Sequence, residues 1–377
     1  MSGIYIHIPF CLNKCPYCDF YSVSVCKDIS LISDFVKSLK CEITNSASIF
    51  GDQIISSVYF GGGTPSVLSP QILSDIFLTV KSNYNLSESR EVTLEINPEH
   101  ATDKYFSELR DLNFVNRLST GFQAMHSSGL SYLQRRHSVD DNINFIDLSQ
   151  RYGFNNFSVD YIYGYSSLEN YDIESAFEFF ISRRIPHISA YSLGIEKNTK
   201  FYSMLKHGQI SKISDDQCFE QFSLIHNLLT FSGYKHYEIS NFSLPGKESF
   251  HNSSYWNLTP YLGFGPSAHS YFNNSRRWNI RNVSKYIEFV NNGNCVFESE
   301  MLSHSDNYNE YIMIRLRTFK GLSITYVKEN FTDFYNSFQN TLSRRDLKEY
   351  FVTDGDFVSL TLKGMFISDF IISEFFV

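Results

Sequence analysis

Short apolar runs alternate with longer amphipathic segments over the first 240 residues. Six of the runs are rich in β-branched or aromatic residues and are bounded by Gly, Pro or Asn, which is typical of strands. They cover residues 3–9, 53–60, 91–97, 114–120, 157–164 and 185–193. Between them, segments such as LISDFVKSLKCEI place their apolar residues on one face at helical spacing. This alternation predicts a parallel sheet with right-handed crossovers, and six repeats favour a partial (β/α)6 barrel over an open sheet.

The pattern changes after residue 240. Residues 241–282 are rich in Asn, Ser and aromatic residues, and we expect a connecting segment there. Helical periodicity dominates from residue 283, and two strand-like runs around the TDG of residues 353–355 predict a hairpin. We therefore predict a barrel domain over 1–240, an aromatic connecting segment over 241–282 and a smaller, mostly helical C-terminal domain over 283–377. The last resembles a winged helix, with an accessory layer packed on the barrel as the alternative.

Composition and charge narrow the class of protein. Hydrophobic residues make up 42% of the 377 residues, which is enough to bury a substantial core. The net charge is −8 and no basic block stands out, which disfavours a nucleic-acid partner. The N-terminus lacks the pattern of a secretory signal, and no apolar run reaches the roughly 18 residues of a membrane span. We predict a cytoplasmic protein with no transmembrane segment.

Three of the seven cysteines form a C-x3-C-x2-C cluster: Cys11, Cys15 and Cys18. The odd number of cysteines argues against a disulfide framework, and we expect the scattered Cys26, Cys41, Cys218 and Cys295 to be small packed side chains. A structural zinc site and a ferredoxin cluster both normally take four protein ligands. The fourth ligand is therefore either a histidine, such as His7, in a Cys3His zinc site, or a molecule that is not protein.

Polar residues recur where the predicted strands end, which is where ligands gather in barrels of parallel strands. The cysteines follow the first strand, and GGGTP (61–65) follows the second, where glycines let the backbone approach a ligand closely. Polar residues also mark the later strands: Glu95 and Asn97, Gln123, Asp160 and Ser192. This recurrence favours a 4Fe–4S cluster on three thiolates, with the amino and carboxylate groups of S-adenosylmethionine on the fourth iron, over a zinc site.

The same motifs resemble the radical S-adenosylmethionine (SAM) superfamily and, within it, the branch that contains oxygen-independent coproporphyrinogen III oxidase. The resemblance begins with YIHIPFCLNKCPYCDF (5–20) and YFGGGTPS (59–66). It continues in the family's order through LEINPE, RLSTGFQ, LQRRHS, VDYIYG, HISAYSLGIE, YEISNF and YLGFGPSAHS, so it covers essentially the whole chain. It implies a partial (β/α)6 TIM-type radical SAM barrel with a 4Fe–4S cluster and S-adenosylmethionine as cofactors.

The resemblance also implies roles for individual residues. By position, Cys11, Cys15 and Cys18 would bind the metal cluster, with Tyr17 beside it. The residues expected around S-adenosylmethionine are Tyr5, Gly62, Gly63, Thr64, Glu95, Gln123, Arg135 and Asp160. Tyr5 as a plain core residue and Arg135 as half of a solvated pair are the alternatives. Two departures stand out, because Tyr165 and Ser166 replace a usual Leu-Pro and Gln134 replaces a common glycine before the arginine.

Two branches of this family carry different functions. The oxidases decarboxylate propionates of coproporphyrinogen and have a substantial extra segment before the cluster strand, where this chain has MSG. The other branch consists of haem chaperones with an H-N-x-x-Y-W signature, which HNSSYW matches with His251, Asn252, Tyr255 and Trp256. An imidazole can ligate haem iron, and Tyr and Trp offer flat faces to a macrocycle. A simply hydrogen-bonded His251 is the alternative, and His269 is a second candidate ligand.

We therefore predict a haem chaperone that binds haem and transfers it to an acceptor protein. Coproporphyrinogen oxidase and a radical SAM methyltransferase acting on haem are the alternative functions, so whether the protein is an enzyme stays open. No catalytic residue is assigned. The haem acceptor, the electron donor and the oligomeric state do not follow from the sequence.

Overall fold

The computed structural model describes residues 2–24 and 29–377, and for Ile29 the backbone alone. Cys26, expected to be a packed side chain, lies outside the described residues. The strands of the described residues are β1 Ser2–Ile8, β2 Phe10–Cys11, β3 Val23–Ser24, β4 Ile54–Gly62, β5 Asn85–Glu95, β6 Arg117–Gln123, β7 Phe157–Tyr163, β8 His187–Ser192, β9 Lys235–Glu238, β10 Asn241–Ser243, β11 Tyr261–Phe264, β12 His269–Phe272, β13 Ser275–Asn279, β14 Phe297–Met301, β15 Leu322–Ser323, β16 Phe351–Asp354 and β17 Phe357–Leu360.

The helices connect these strands and predominate near the C-terminus. They are α1 Ile29–Asn45, α2 Pro70–Asn83, α3 Asp103–Leu112, α4 Ser127–Tyr132, α5 Val139–Arg151, α6 Asn170–Ser182, α7 Lys200–Lys206, α8 Asp215–Phe231, α9 Phe250–Trp256, α10 Val283–Asn291, α11 His304–Leu316, α12 Ile324–Asn330, α13 Thr332–Leu342, α14 Leu362–Phe366 and α15 Ser368–Ser373. Local sequence sets their ends. In α2, for example, Ser69 caps the first turn by accepting from the Ile72 amide, and Pro70 opens the helix. No helix among the described residues has the length and apolar character needed to cross a membrane.

A single large sheet forms the centre of the molecule. Its order is β14-β13-β12-β11-β1-β4-β5-β6-β7-β8-β10-β9, and the run from β11 to β8 is parallel. All residues of β1 are buried except the half-buried Tyr5, as expected for a parallel sheet covered on both faces. The six predicted strands are present as β1, β4, β5, β6, β7 and β8. The predicted partial (β/α)6 barrel is confirmed.

The sequence pattern did not reveal the strands between residues 261 and 301. β11 pairs in parallel with β1, placing Tyr261 opposite Gly3, and β12, β13 and β14 continue as an antiparallel meander. These strands are four or five residues long, and their loop-like composition hides them. The segment expected to be a connector therefore extends the barrel sheet. The division into three parts remains a prediction.

The C-terminal part is mostly helical and contains the predicted hairpin. Helix α11, strand β15, helices α12 and α13 and the hairpin β16–β17 follow one another, and the three strands form a sheet in the order β15-β17-β16. Gly355 has a φ of +58° at the hairpin turn, where glycine avoids strain. This order of helices and strands agrees with the predicted winged-helix-like arrangement. Phe366 packs against Phe219 of α8 and joins this part to the barrel.

The two departures from the family pattern each have a structural counterpart. Tyr165 is 1% exposed, its ring stacks on Tyr132 with centroids 4.9 Å apart, and its hydroxyl lies 3.2 Å from His126 Nε2. Gln134 has a φ of +52°, the left-handed region that favours glycine. The expectation for the scattered cysteines holds for the buried Cys218 but is wrong for Cys41 and Cys295, which are exposed.

Candidate functional site

A cavity of about 640 Å³ occupies the interior of the barrel, from the cysteine loop to helix α9. Of the predicted site residues, the following line it: Tyr5, Cys11, Cys15, Tyr17, Cys18, Gly62, Gly63, Thr64, Glu95, Gln123, Arg135, Asp160, His251 and Tyr255. Trp256 instead lines a smaller cavity of about 180 Å³, in which Tyr255 forms a shared wall. His269 is exposed on β12 and is not among the residues that line the large cavity.

The GGGT segment is bonded to the base of the cysteine loop. The Gly63 amide donates to the Ile8 carbonyl (2.8 Å) and the Thr64 amide to the Phe10 carbonyl (2.7 Å), while the Thr64 hydroxyl donates to Cys11 Sγ (3.4 Å). A Cβ atom on Gly63 would lie 2.7 Å from the Phe10 carbonyl oxygen. Glycine is therefore required for close packing against the chain that leads into Cys11, a structural reason beyond the predicted approach to a ligand.

His7 is hydrogen-bonded to Tyr5 and Tyr21 and does not line the cavity. Its Nδ1 lies 3.2 Å from the Tyr5 hydroxyl and its Nε2 lies 2.9 Å from the Tyr21 carbonyl, and burial lowers its pKa to about 4. The alternative of His7 as a fourth zinc ligand therefore has no geometric support. Among the described residues, no three His, Cys, Asp or Glu side chains converge on a position for a single metal ion.

Arg135 follows helix α4, and its side chain reaches into the cysteine loop. Its Nη1 donates to Cys15 Sγ (3.1 Å), and its Nη2 donates to Asn97 Oδ1 (3.3 Å) and the Gly121 carbonyl (3.2 Å). Arg135 is thus a cavity residue and not half of a solvated pair. Burial raises the pKa of Cys18, and the charges of Cys15 and Cys11 in the same loop raise it further.

Two carboxyl groups line the middle of the cavity. Glu95 Oε1 accepts a hydrogen bond from the Tyr59 hydroxyl (2.8 Å), and burial raises the Glu95 pKa to about 7. Burial also raises the Asp160 pKa to about 6, against the lowering effect of a hydrogen bond from Ser189. Both groups can therefore exchange protons near neutral pH, and as carboxylates both can accept hydrogen bonds from ligand hydroxyl or amino groups.

The HNSSYW segment forms helix α9, which closes the floor of the barrel. His251 is 1% exposed, with Nδ1 2.8 Å from the Ser57 hydroxyl and Nε2 2.8 Å from the Tyr255 hydroxyl. A Cβ atom on Gly3, at the start of β1, would lie 3.5 Å from the His251 ring. The other end of β1, Ile8, leads to the cysteines. It lies five residues beyond Gly3, which is about 17 Å along a strand. The cysteine loop and His251 therefore occupy opposite ends of one cavity.

Both ring nitrogens of His251 are occupied in this structure. Burial and then the charge of Arg117 lower its pKa to about 3, so the imidazole is neutral, the form that ligates iron. A haem iron would have to replace the Tyr255 hydroxyl at Nε2, or Ser57 at Nδ1. The alternative in which His251 is simply hydrogen-bonded describes the geometry of this structure.

Sequence reasoning missed several polar residues of the cavity wall. Tyr59, Arg117, Ser119, Ser158 and Ser189 line the cavity. The two-residue period of a strand could have found three of them, because Arg117 and Ser119 share a face of β6 with Gln123, and Ser158 precedes Asp160 by two.

Comparisons with known proteins identify the family and the fold of this chain. A Radical SAM superfamily model matches residues 5–180. A protein named heme chaperone HemW from Buchnera aphidicola subsp. Acyrthosiphon pisum is 30% identical over 364 residues, which are 96% of this chain and 95% of the relative. The chain belongs to the HemW family. A HemW from Lactococcus lactis is 29% identical over 375 residues, 99% of this chain and 97% of the relative.

The match to the radical SAM superfamily over residues 5–180 implies a 4Fe–4S cluster and S-adenosylmethionine as cofactors of the barrel. The fold agrees with a solved structure, the coproporphyrinogen III oxidase (HemN) from Escherichia coli. That structure matches with a TM-score of 0.86 and covers 100% of this chain and 90% of its own. At 19% sequence identity this likeness confirms the fold, a radical SAM barrel with a helical C-terminal part.

Proposed function

We propose that this protein is a haem chaperone that carries a 4Fe–4S cluster and S-adenosylmethionine, binds haem and transfers it to an acceptor protein. One observation carries the proposal. In a chain of the HemW family, the HNSSYW helix forms the floor of the same cavity whose mouth holds the three clustered cysteines. The cytoplasm remains the predicted location, and the acceptor and electron donor are not identified.

The residues at the mouth fit a cluster with one open iron. Cys11, Cys15 and Cys18 would supply three thiolates, and the open iron would take the amino and carboxylate groups of S-adenosylmethionine. Hydrogen bonds from Thr64 to Cys11 Sγ and from Arg135 to Cys15 Sγ are the kind that tune cluster potential. When bound, the cluster and S-adenosylmethionine together supply one-electron cleavage of the sulfonium, chemistry that belongs to the cofactors.

The middle of the cavity would orient S-adenosylmethionine. Glu95 and Asp160 would accept from its ribose hydroxyls or amino group, and Gln123 adds an amide at the end of β6. Tyr5, Tyr17, Gly62 and Gly63 complete the wall. In this arrangement the protein binds and orients the cofactor and keeps the site enclosed.

The floor of the cavity would receive haem. His251 offers a neutral imidazole, Tyr255 lies between the two cavities and Trp256 lines the smaller one. A ligand that moved the Tyr255 ring would gain access to His251 Nε2 and join the cavities. The three motif residues would then surround one ligand.

Coproporphyrinogen III oxidase is the second candidate function, because the Escherichia coli oxidase shares the whole fold. The two functions are separable by assay. The cluster is reconstituted anaerobically, and coproporphyrinogen III decarboxylation and haem binding are measured on the same preparation. We expect haem binding, seen as a Soret band shift, and no decarboxylation. Robust decarboxylation would overturn the chaperone assignment.

Variants test the haem ligand. His251→Ala should weaken haem binding, while His269→Ala, outside the large cavity, serves as the matched control and should not. Tyr255→Phe removes the hydroxyl that occupies Nε2 but keeps the ring, so we expect tighter haem binding and a spectrum typical of histidine ligation. Haem binding unchanged by both His251→Ala and Tyr255→Phe would remove His251 from the site.

A further inference from the structure

Arg117 is a buried cation at the floor of the cavity, and neither the cluster site nor the HNSSYW motif uses it. It begins β6, is 1% exposed and lines the cavity. Its Nε and Nη2 atoms are buried and have no hydrogen-bond partner among the described residues. Because buried charges are normally paired and hydrogen-bonded, a guanidinium with two unpartnered nitrogens at a cavity wall indicates a missing ligand group.

Glu91 does not satisfy this guanidinium. Its Oε2 lies 3.9 Å from Arg117 Nε, beyond hydrogen-bond distance. Both of its oxygens are used by helix α9, since Oε1 accepts from the His251 amide (3.0 Å) and Oε2 from the Phe250 amide (3.0 Å). Among the described residues, Glu91 is the one carboxylate within 4 Å of Arg117. The cation is therefore only partly neutralised.

Besides Glu91, the groups around Arg117 include the buried carboxyls of Glu95 and Asp160, whose pKa values its charge lowers, and several neutral hydrogen-bonding groups. His251 and His187 are both neutral, because burial and then the Arg117 charge lower their pKa values. The hydroxyls of Ser158 and Ser189 lie 3.3 Å apart and line the same cavity. One positive charge with hydroxyl donors around it matches an anionic group on a ligand.

We propose that Arg117 binds a carboxylate of the cavity's ligand, and that this carboxylate is a propionate of a tetrapyrrole. A guanidinium pairs with a carboxylate in a bidentate manner, which would use its unpartnered nitrogens. The volume of about 640 Å³ lies within the usual range for small-molecule sites, and Tyr5, Tyr59 and Tyr255 supply flat faces for the apolar part of the ligand. The identity of the ligand as a tetrapyrrole rests on the proposed function, whereas the preference for a carboxylate rests on Arg117 itself.

The test compares iron(III) protoporphyrin IX with its dimethyl ester, which lacks both propionate charges. Each is titrated against the wild type, Arg117→Gln, Arg117→Lys and Arg277→Gln by Soret absorbance. Arg277 is the matched control, because its guanidinium lies between the rings of Phe272 and Phe297, away from the cavity lining.

We expect the wild type and Arg277→Gln to bind the free acid about 10- to 100-fold more tightly than the ester, the size of a charge-assisted hydrogen-bonded pair. Arg117→Gln should abolish this ratio by weakening the acid and leaving the ester unchanged, and Arg117→Lys should keep part of it. Equal binding of acid and ester by the wild type would overturn the inference, and this comparison needs no variant to fold. An equal loss of both forms in Arg117→Gln would also overturn it, since Arg117 would then act by supporting Glu91 and helix α9.

A second probe separates this inference from the proposed function. If the wild type binds neither form of the haem, the haem chaperone assignment fails, and the inference is decided by hexanoate against hexanamide. The readout is the NMR signal of the Arg117 Nε–H group, assigned by its loss in Arg117→Lys. A saturable shift with hexanoate but not with hexanamide supports a carboxylate site, and no shift with hexanoate rejects it.

Discussion

Arg135 Nη1 lies 3.1 Å from Cys15 Sγ and donates a hydrogen bond to it. The same guanidinium also holds Asn97 Oδ1 at the end of β5 and the Gly121 carbonyl within β6. The contact joins the cysteine loop to two neighbouring strands of the barrel. It also sets a positive charge directly on one of the proposed cluster ligands.

Arg135→Gln should lower the midpoint potential of the reconstituted cluster. A cation and a hydrogen-bond donor beside a ligating sulfur stabilise the more reduced, more negative cluster, and the variant loses the charge. The iron content should stay the same, because the three cysteines remain. An EPR-monitored redox titration measures the shift. The exposed neighbour Arg136 provides the control, and Arg136→Gln should leave the potential unchanged; equal potentials in all three proteins would show that the contact does not tune the cluster.

Cys15→Ala should abolish iron retention after anaerobic reconstitution, leaving a colourless protein. Two remaining thiolates are too few to hold a cube that already has one iron without a protein ligand. Iron and sulfide analysis, with absorbance near the cluster band, measures the result. Cys41→Ala removes an exposed thiol outside the cavity and should retain the wild-type iron content. Full iron retention by Cys15→Ala would contradict the proposed ligand set.

Glu95→Gln should make the cofactor-free protein more stable at pH 8 than the wild type. The folded pKa of Glu95 is raised from 4.5 to about 7, so the folded state holds its proton more tightly than the unfolded state. The Glu95 carboxyl ionises above about pH 4.5 in the unfolded state but stays protonated until about pH 7 in the folded state. The stability that the protonated carboxyl gives the folded state is therefore fully present below about pH 4.5 and is lost as the pH rises through about 7. Glutamine does not ionise and so lacks this loss, and we expect a gain of about 3 kcal/mol in the free energy of unfolding at pH 8 that vanishes toward pH 4.5.

Urea unfolding at a series of pH values measures this difference. Glu88, exposed on the same strand, is the control, and Glu88→Gln should leave the pH dependence of the wild type unchanged. A Glu95→Gln protein whose stability falls between pH 5 and pH 8 as steeply as that of the wild type would refute the buried-acid account.

Gln134→Gly should stabilise the protein modestly, by up to about 1 kcal/mol. Gln134 has a φ of +52°, and a residue with a Cβ atom pays roughly that much in the left-handed region. The lost contact of its side chain with Lys200 Nζ is exposed and worth little. Differential scanning calorimetry measures the gain. Gln134→Ala loses the same side chain but keeps the strained φ, so it should not be stabilised; equal effects of Gly and Ala would assign the change to the side chain.

Local patterns in the sequence were sufficient to predict the order of strands and helices in the barrel. The apolar runs of β1 and β4 to β8 report burial on both faces, and the cysteine spacing reports metal chemistry within a single loop. The resemblance to a family then named the residues around the cofactor, and the structure places nearly all of them on one cavity. These features depend on residues close together in the chain, so they can be predicted from the sequence without the tertiary structure.

The tertiary structure alone decided which distant segments meet. β11 joins β1 across more than half the chain, and His251 meets Ser57 at a separation of 194 residues, at the end of the barrel opposite the cysteines. The incomplete pairing of Arg117 likewise depends on Glu91 being used by helix α9. Hydrophobic periodicity records that a residue is buried and not which residue it is buried against, because burial depends on area alone whereas hydrogen bonds and charge pairs depend on the positions of particular atoms.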